Sequence, residues 1–526
     1  MIEGEESGAL IPAAELREAR HRLSLARGKA KLDFLFSAPD PLTLVRSLPE
    51  QEIFLAILEI GLDDAAEVIS LCSLDQFRHF IDRSGWPRPE QGPETRQLLH
   101  WLTLAREGAA TSDEALERYR EKLAGLDVEL LELVLREKLR IHDLDADPDP
   151  IVADAGRTWR TPEGRYLVEF AADGADYATL RQLLDDLFAQ DALGSTRLLE
   201  AVRWEFPSEL SETARRWRDG RLRDLGFPGI EEAISFFARP ARRTSAALAD
   251  GPAGSALIRS SPSPSFLDAA LARVDAAAID RVEQGVVYAA NAVLVANHVP
   301  ADDAVGAREA LEDTRATLSV GLEVLAGADE ERAARILSDR PIKEVFQAGM
   351  GEIYSLQSHA RASATAARLP GASVATILGP PWDRVIDALA QQRPALPDDR
   401  RPSRARAPAT RAEIASIHSL LDEAEAVPRL LAEMGLTLEA IARLADAAGF
   451  APTAVRAADV VQARARAALR GAEGVSFSDP QNDTPYQFGT PAAIESKARE
   501  LLDEAARRVG SPAAARAAER LAGSRR

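Results

Sequence analysis

Apolar residues recur three and four positions apart along most of the chain, the spacing of an amphipathic helix. Between Pro41 and Trp86 the pattern restarts at short, regular intervals. Leu48-Pro49-Glu50, Leu62-Asp63-Asp64 and Leu74-Asp75-Gln76 are three successive helix starts, each followed by an apolar-periodic run. Such spacing predicts an α-solenoid-like array, in which each unit buries its face against the next. Thr111-Ser112-Asp113-Glu114 is a capping box opening a helix that Gly125 closes. Asp127–His142 then reads as a second, strongly apolar helix. The period changes once. Thr158–Thr161, a turn at Pro162-Glu163-Gly164 and the alternating run Arg165–Phe170 predict a β-hairpin. Helices resume at Tyr177–Phe188 and Gly194–Trp204.

The breaks in this pattern divide the chain. Residues 1–40 read as an acidic tail and a basic amphipathic helix, Glu15–Leu32. The helical array covers 41–150, and the hairpin with its following helices covers 151–240. Pro240–Ser265 is rich in Ala, Gly, Ser and Pro, so 241–265 reads as a linker. A helical bundle follows over 266–390. Gln391–Arg411 is rich in Pro and Arg and reads as a solvated, mobile tether. Residues 412–526 form a C-terminal helical region interrupted by a polar loop, Gly474–Gly489. The expected fold class is mainly α: a multidomain helical-repeat and bundle architecture with one small β-hairpin near 155–170.

Arg203–Pro228 is the most densely functionalised stretch. Pro207-Ser208 reads as a helix start with Ser208 as the cap, which places Glu209 and Glu212 at the positive end of the helix dipole. Glu212 reaches Arg215 and Arg216 at salt-bridge spacing. Gly220 is a candidate helix end, and Gly226-Phe227-Pro228-Gly229 a turn. Trp204 and Trp217 are expected to be mostly buried. The candidate binding residues are Trp204, Glu205, Glu209, Arg215, Trp217, Arg218, Arg221 and Asp224. As a site, the stretch is an arginine cluster gripping an anion or an acidic partner helix. As structure, it is an ion-pair network around two buried tryptophans, and that reading leads because such networks commonly hold no ligand.

The strings W-E-F-P-S-E-L and R-R-W-R-D-G-R-L-R-D-L-G-F-P resemble the signature of a bacterial family of unknown function, DUF6178. The resemblance extends to Leu44–Leu71, Tyr288–Val299 and Leu318–Gly327, and so to most of the chain. It implies no activity, substrate or catalytic residue. The Pro41–Trp86 piece also resembles the intracellular N-terminal domain of MgtE-type magnesium transporters, which implies a regulatory ion sensor.

Composition narrows the function. The chain has 526 residues with 64 basic and 83 acidic side chains, a net charge of −19. That sign opposes phosphate-backbone binding by the whole molecule, so nucleic acid is not an expected partner. Aromatics are only 5% of residues. The only cysteine, Cys72, lies in an apolar run and reads as a buried, inert thiol. The N-terminus lacks a signal-peptide pattern, and the apolar run Gly285–Val299 is too short to span a bilayer, so the cytoplasm is the expected location. The seven histidines are scattered, and neither a zincin motif nor a phosphate loop occurs. Asp143, Asp145, Asp147, Asp149 and Asp154 imitate a calcium loop, but Pro148 stands where the turn needs glycine and Asp154 is short for the closing Glu. No metal, cofactor or catalytic residue is assigned. The leading expectation is a non-catalytic helical scaffold or adaptor that binds another protein. A sensor of an ion or anionic ligand is the alternative. An enzyme using the carboxylates and arginines of 203–228 comes third.

Overall fold

The computed structural model describes residues 19, 22–23, 26–86, 92–172, 174–238, 265–372, 376–399, 401, 404–472, 475 and 490–523. The N-terminal tail with most of Glu15–Leu32, all but the last residue of Pro240–Ser265 and nearly all of Gly474–Gly489 lie outside these residues.

The N-terminal array contains α1 (Lys29–Phe36), α2 (Pro41–Ser47), α3 (Glu50–Ile60), α4 (Ala66–Leu71), α5 (Leu74–Ser84), α6 (Thr95–Ala109), α7 (Asp113–Ala124) and α8 (Val128–Lys138). Two of the three expected helix starts fall where the pattern put them. The third is delayed: residues 62–64 form a turn and α4 begins at Ala66. A Ser73–Gln76 capping box opens α5. Gln76 Nε2 also donates to the carbonyls of Val45 and Leu48, so the capping residue ties α5 to the end of α2. Ser112 caps α7, and Gly125 follows its last turn.

The apolar helix after Asp127 ends at Lys138, four residues short of His142. Leu139–Asp143 instead form β1, which pairs antiparallel with β3 (Tyr166–Phe170). With β2 (Thr158–Arg160) this makes a three-stranded sheet of order β1-β3-β2. The expected hairpin is β2–β3. Leu139-Arg140-Ile141-His142 alternates apolar and polar, and the free edge of β3 supplies it with a ladder. Glu169 on β3 accepts from the Ala153 N–H at 2.7 Å and pairs with His142 at 3.2 Å, closing the intervening loop over the sheet.

Helices α9 (Gly174–Gln190), α10 (Ala192–Trp204), α11 (Pro207–Asp224) and α12 (Ile230–Ser235) follow the sheet. Then come α13 (Phe266–Leu271), α14 (Ala276–Ala296), α15 (Ala304–Ala326), α16 (Glu330–Asp339), α17 (Ile342–Ala366) and α18 (Trp382–Ala390). The C-terminal region holds strands β4 (Leu396–Pro397) and β5 (Ala405–Arg406), then α19 (Arg411–Glu433), α20 (Leu438–Ala447), α21 (Ala457–Leu469), α22 (Pro491–Val509) and α23 (Pro512–Gly523). The buried apolar residues form three clusters, within Leu23–Ala214, Leu222–Ile353 and Val320–Leu521. Long α15 and α17 contribute to both of the last two.

The described residues of Gln391–Arg411 are docked, not a free tether. Arg404 is buried and reaches Glu309, Glu312 and Asp313 on α15. The Ala407 N–H donates to Asp313 at 2.9 Å, and Arg406 pairs with Glu413. Arg401, Arg404 and Arg406 do not repel one another because each pairs with carboxylates, those of Glu309 and Glu312 on α15 for the first two and Glu413 on α19 for the third. Among the described residues no helix is long and apolar enough to cross a membrane.

Glycine sets the closest helix contact. A Cβ on Gly321 would lie 2.0 Å from the Val345 carbonyl oxygen, and one on Gly349 would lie 2.1 Å from that of Thr317. The backbones of α15 and α17 therefore touch. Gly351, two residues on and so on the far side of α17, faces open space. Gly349→Ala is expected to cost about 3 kcal/mol, because the two helices must separate. Gly351→Ala should instead stabilise by about 0.5–1 kcal/mol through helix propensity. Urea denaturation of the two variants checks the contrast.

Candidate functional site

Helix α11 carries most of the candidate residues, and its sequence gives it two faces. Leu210, Ala214, Arg218 and Leu222 recur every four residues and are buried. This stripe packs on α8 and α5. Phe206 takes the N-cap position and Pro207 is the first helical residue. Proline has no N–H to satisfy there and its φ suits a helix start. Ser208 therefore falls inside the first turn and does not cap. Gly220 does not end the helix, which runs to Asp224. The stop comes at Gly226, whose φ of 77° suits glycine. The Phe227 N–H bonds the Leu222 carbonyl at 2.8 Å and the Gly226 N–H that of Arg223 at 2.9 Å, a Schellman closure. Asn291 of α14 donates to the Gly226 carbonyl at 3.2 Å and fastens the turn.

The inner face is held by charge. Arg221 donates through Nε and Nη2 to both oxygens of Asp82, at 2.7 and 2.9 Å. Through Nη1 and Nη2 it donates to both oxygens of Asp127, at 3.0 and 2.7 Å. Asp127 precedes α8 but makes no cap hydrogen bond, since Arg221 takes its carboxylate. Burial pushes the Asp82 carboxyl up against the pull of Arg221. Burial likewise opposes the charge on Arg221, yet its two carboxylates hold it above its ordinary value. Arg218 turns inward, donating to the Asp82 carbonyl at 2.8 Å and to Asp219 at 2.9 Å, with its guanidinium 5.4 Å from the Trp86 ring. Arg83 lies over Phe227 at 4.5 Å, and burial, with Arg218 beside it, pulls its guanidinium down to about 10. The structural ion-pair network is therefore present, but the tryptophans it encloses are not the expected ones.

The outer face differs from expectation. Trp204 is 69% exposed and Trp217 57%, and Phe206 between them in sequence is 67% exposed. The buried repeat explains this. Position 217 lies one residue, or about 100° around the helix, from Arg218 in the buried stripe. Trp204 ends α10 beyond its last buried residue, Val202, with the Arg203 guanidinium 5.3 Å from its ring. Glu205, Glu209 and Asp224 are exposed. Arg215 and Arg216 pair with Glu212 at 2.6 and 3.2 Å, as the spacing predicts. Glu205 and Glu209 face solvent while Arg218 faces inward, so the three do not converge on a polar pocket.

Sequence reasoning did not find Asp82, Asp127 or Arg83. Their partners lie far along the chain, and Asp127 carries only the signal of a helix start. It also did not find Glu132. This glutamate is buried on α8, and burial, with Glu205 and Glu129 nearby, pushes its carboxyl up to about 7. Cys72 is buried, and burial pushes its thiol up to about 12. In the aspartate run, Asp143 accepts from Arg203 at 3.0 Å and from the Asp145 N–H at 3.1 Å. Asp147 and Asp154 accept from the N–H groups of Asp149 and Gly156. Among the described residues no group of three or more His, Cys, Asp or Glu side chains is placed to hold a metal ion.

The family model described as a family of unknown function, DUF6178, matches residues 9–474, and the chain belongs to that family. No curated protein and no solved structure matches the chain.

Two measurements follow from the two faces of α11. Arg221→Ala leaves two carboxylates facing each other without a cation and should cost about 3–5 kcal/mol. Trp217→Ala should change stability by less than about 1 kcal/mol, as exposed positions do. Urea unfolding of both variants separates them. Glu132 gives the third expectation. An unfolded glutamate ionises near 4.5, whereas the folded carboxyl holds its proton up to about 7. Its contribution to stability is complete below 4.5 and is lost as pH rises to about 7. Glu132→Gln keeps the neutral form at every pH. It should leave stability unchanged at about pH 4 and raise it by about 1 kcal/mol at about pH 8, after allowance for solvent near the carboxyl.

Proposed function

We propose that this DUF6178 chain is a non-catalytic, cytoplasmic helical scaffold that binds another protein through the exposed aromatics of α11 and its junction with α10. The observation that carries the reading is the exposure of Trp204, Phe206 and Trp217. The chain has six tryptophans. The other four, Trp86, Trp101, Trp159 and Trp382, are at most 8% exposed. Burying a large apolar side chain stabilises by roughly 1.5–3 kcal/mol, so two tryptophans left in water represent a sizeable unrealised stabilisation. A partner would supply that burial. Phe206 and Trp217 are eleven residues apart, three helical turns, and so project from the same side of α11. Tryptophan and arginine are also the residues most enriched at the energetic centres of interfaces. Arg216 and Arg223 lie along one side of this face and are exposed. Beneath it, the Arg221 network holds the helix in place, so little ordering is required on binding.

The competing roles have less support. An anion sensor built on these arginines would need Arg218 and Arg221, which are already engaged with Asp82, Asp127 and Asp219. An enzyme built on Glu205, Glu209 and Arg218 would need them to converge, and they face opposite ways.

The test is affinity capture of partners from native extract, using the unaltered chain, a Trp204→Ala/Trp217→Ala double variant and an Ile151→Ala control. Ile151 is 95% exposed and lies in a different part of the chain. The expected result is a partner retained by the unaltered and control chains and lost by the double variant at an unchanged melting temperature. Equal capture by all three would remove the aromatic face from consideration.

A further inference from the structure

A cleft of about 480 Å³ opens between α18, the β4–β5 pair, α19 and α23. Four arginines line it: Arg384 of α18, Arg406 of β5, and Arg516 and Arg520 of α23. Three acids line it as well, Asp399, Glu413 and Glu423. The cleft therefore carries one positive charge in excess, on a chain whose net charge is −19. A concave surface with charge of one sign in excess concentrates counter-ions, here anions.

The donors outnumber the acceptors they have. Glu413 pairs with Arg406. Glu423 is 2% exposed and is shared, one oxygen accepting from Arg516 Nε at 2.9 Å and the other from Arg520 Nε at 2.6 Å. Both arginines spend Nε on this one buried carboxylate, yet their side chains stay 45% and 47% exposed. Arg516 Nη2 donates to Ser419 Oγ at 2.7 Å. The Nη nitrogens of Arg520 donate to nothing among the described residues. Arg384 is exposed, and its guanidinium has no ion pair or hydrogen bond among the described residues. The Ser416 hydroxyl, exposed on α19, is likewise unengaged. Asp399 is the one lining acid without an arginine, and it is exposed, so water and salt screen it.

The unengaged donors thus come from three helices, Arg384 from α18, Ser416 from α19 and Arg520 from α23. A carboxylate offers two oxygens in one plane. A phosphoryl group offers three strong acceptors spread about a tetrahedron, and arginine meets such oxygens with paired N–H groups. Ile417 and Leu420 of α19, both half-buried, give the same cleft an apolar wall. We propose that this cleft binds a small organic phosphate, whose phosphoryl oxygens accept from Arg384, Arg520 and Ser416 and whose apolar body lies on Ile417 and Leu420. A cavity of about 150 Å³ accommodates benzene, so the cleft has room for a phosphoryl group and a body of ring size. The proposal is independent of the scaffold reading, since no residue of α11 lines the cleft.

Isothermal titration calorimetry on the full chain, in about 0.15 M salt to screen diffuse attraction, tests it with phenyl phosphate, inorganic phosphate and benzoate as probes. Phenyl phosphate should bind saturably. Inorganic phosphate lacks the apolar body and benzoate lacks the third oxygen, so each should bind about fivefold more weakly or worse. Arg384→Gln removes a guanidinium that no described residue uses, so the chain should fold as before. It should weaken phenyl phosphate about tenfold, the loss expected for one hydrogen bond to a charged group. Arg520→Gln should have a similar effect, while Glu423 keeps Arg516. Arg340→Gln removes an exposed arginine at the C-cap of α16 and should leave binding unchanged. If Arg520→Gln does not fold, the contrast between Arg384→Gln and Arg340→Gln decides the question. Absence of saturable phenyl phosphate binding, equal binding of inorganic phosphate or of benzoate, undiminished binding in Arg384→Gln, or an equal loss in Arg340→Gln would each overturn the proposal.

Discussion

The placement of α11 depends on one guanidinium. Arg221 lies between Asp82 of α5 and Asp127 before α8 and bonds both carboxylates in bidentate fashion. The partners are 139 and 94 residues away along the chain, so the fork joins segments that local propensity cannot bring together. Side chains of Asp82 and Asp127 are only 4% and 13% exposed. Charges removed from water at such sites are tolerable only when geometry is close to ideal, and two planar forks on one guanidinium meet that condition. From there the order of the next elements follows. The turn at Gly226 is set by the end of α11, Asn291 of α14 grips that turn, and α15, packed beside α14, lies against α3.

The same device recurs at other contacts between segments distant in sequence. Asp186 holds Arg106, Asp268 holds Arg315, Glu423 holds Arg516 and Arg520, and Arg404 is held by three acids of α15. In each case at least one member is nearly buried. Aromatic residues make up only 5% of the chain, and alanine is common on its helix contacts. Alanine and glycine let backbones approach, as at Gly321 and Gly349, but their surfaces are nearly featureless and permit sliding. Directional arginine–carboxylate forks fix the register that small side chains leave open. Such pairs contribute specificity more than net stability, because desolvation offsets much of their attraction.

What was legible in the sequence was local. Helix starts at Pro49-Glu50 and Leu74-Asp75-Gln76, the cap at Ser112, the β2–β3 hairpin and the Glu212–Arg215 and Glu212–Arg216 pairs rest on interactions within a few residues. What was not legible was decided at long range. Leu139–Asp143 leave the helical state because β3, 27 residues on, offers them an edge. The prolines and arginines of Gln391–Arg411 give the composition of a tether, yet α15 supplies the acids that dock it. For the candidate site, Arg218 and Arg221 were recognisable as ion-pair residues, but Asp82 and Asp127 were not recognisable as their partners.

The two tryptophans show how such a reading goes wrong. Burial of a large aromatic is a statistical expectation, and it can be checked only against the stripe that a helix buries. In α11 that stripe is centred on Leu210, Ala214, Arg218 and Leu222, and one of its four members is an arginine. Trp217 follows Ala214 by three residues, about 60° around the helix, and so falls just outside that stripe. The orientation follows from the ion network: Asp82 and Asp127 draw Arg221 to one border of the buried stripe, Arg218 turns inward beside it, and Trp217, about 40° from Arg221, is left outside the stripe and exposed. The buried charge and the exposed aromatic face are therefore consequences of a single orientation of one helix. A rotation of about 100° would bury Trp217 and would withdraw the arginines from their carboxylates.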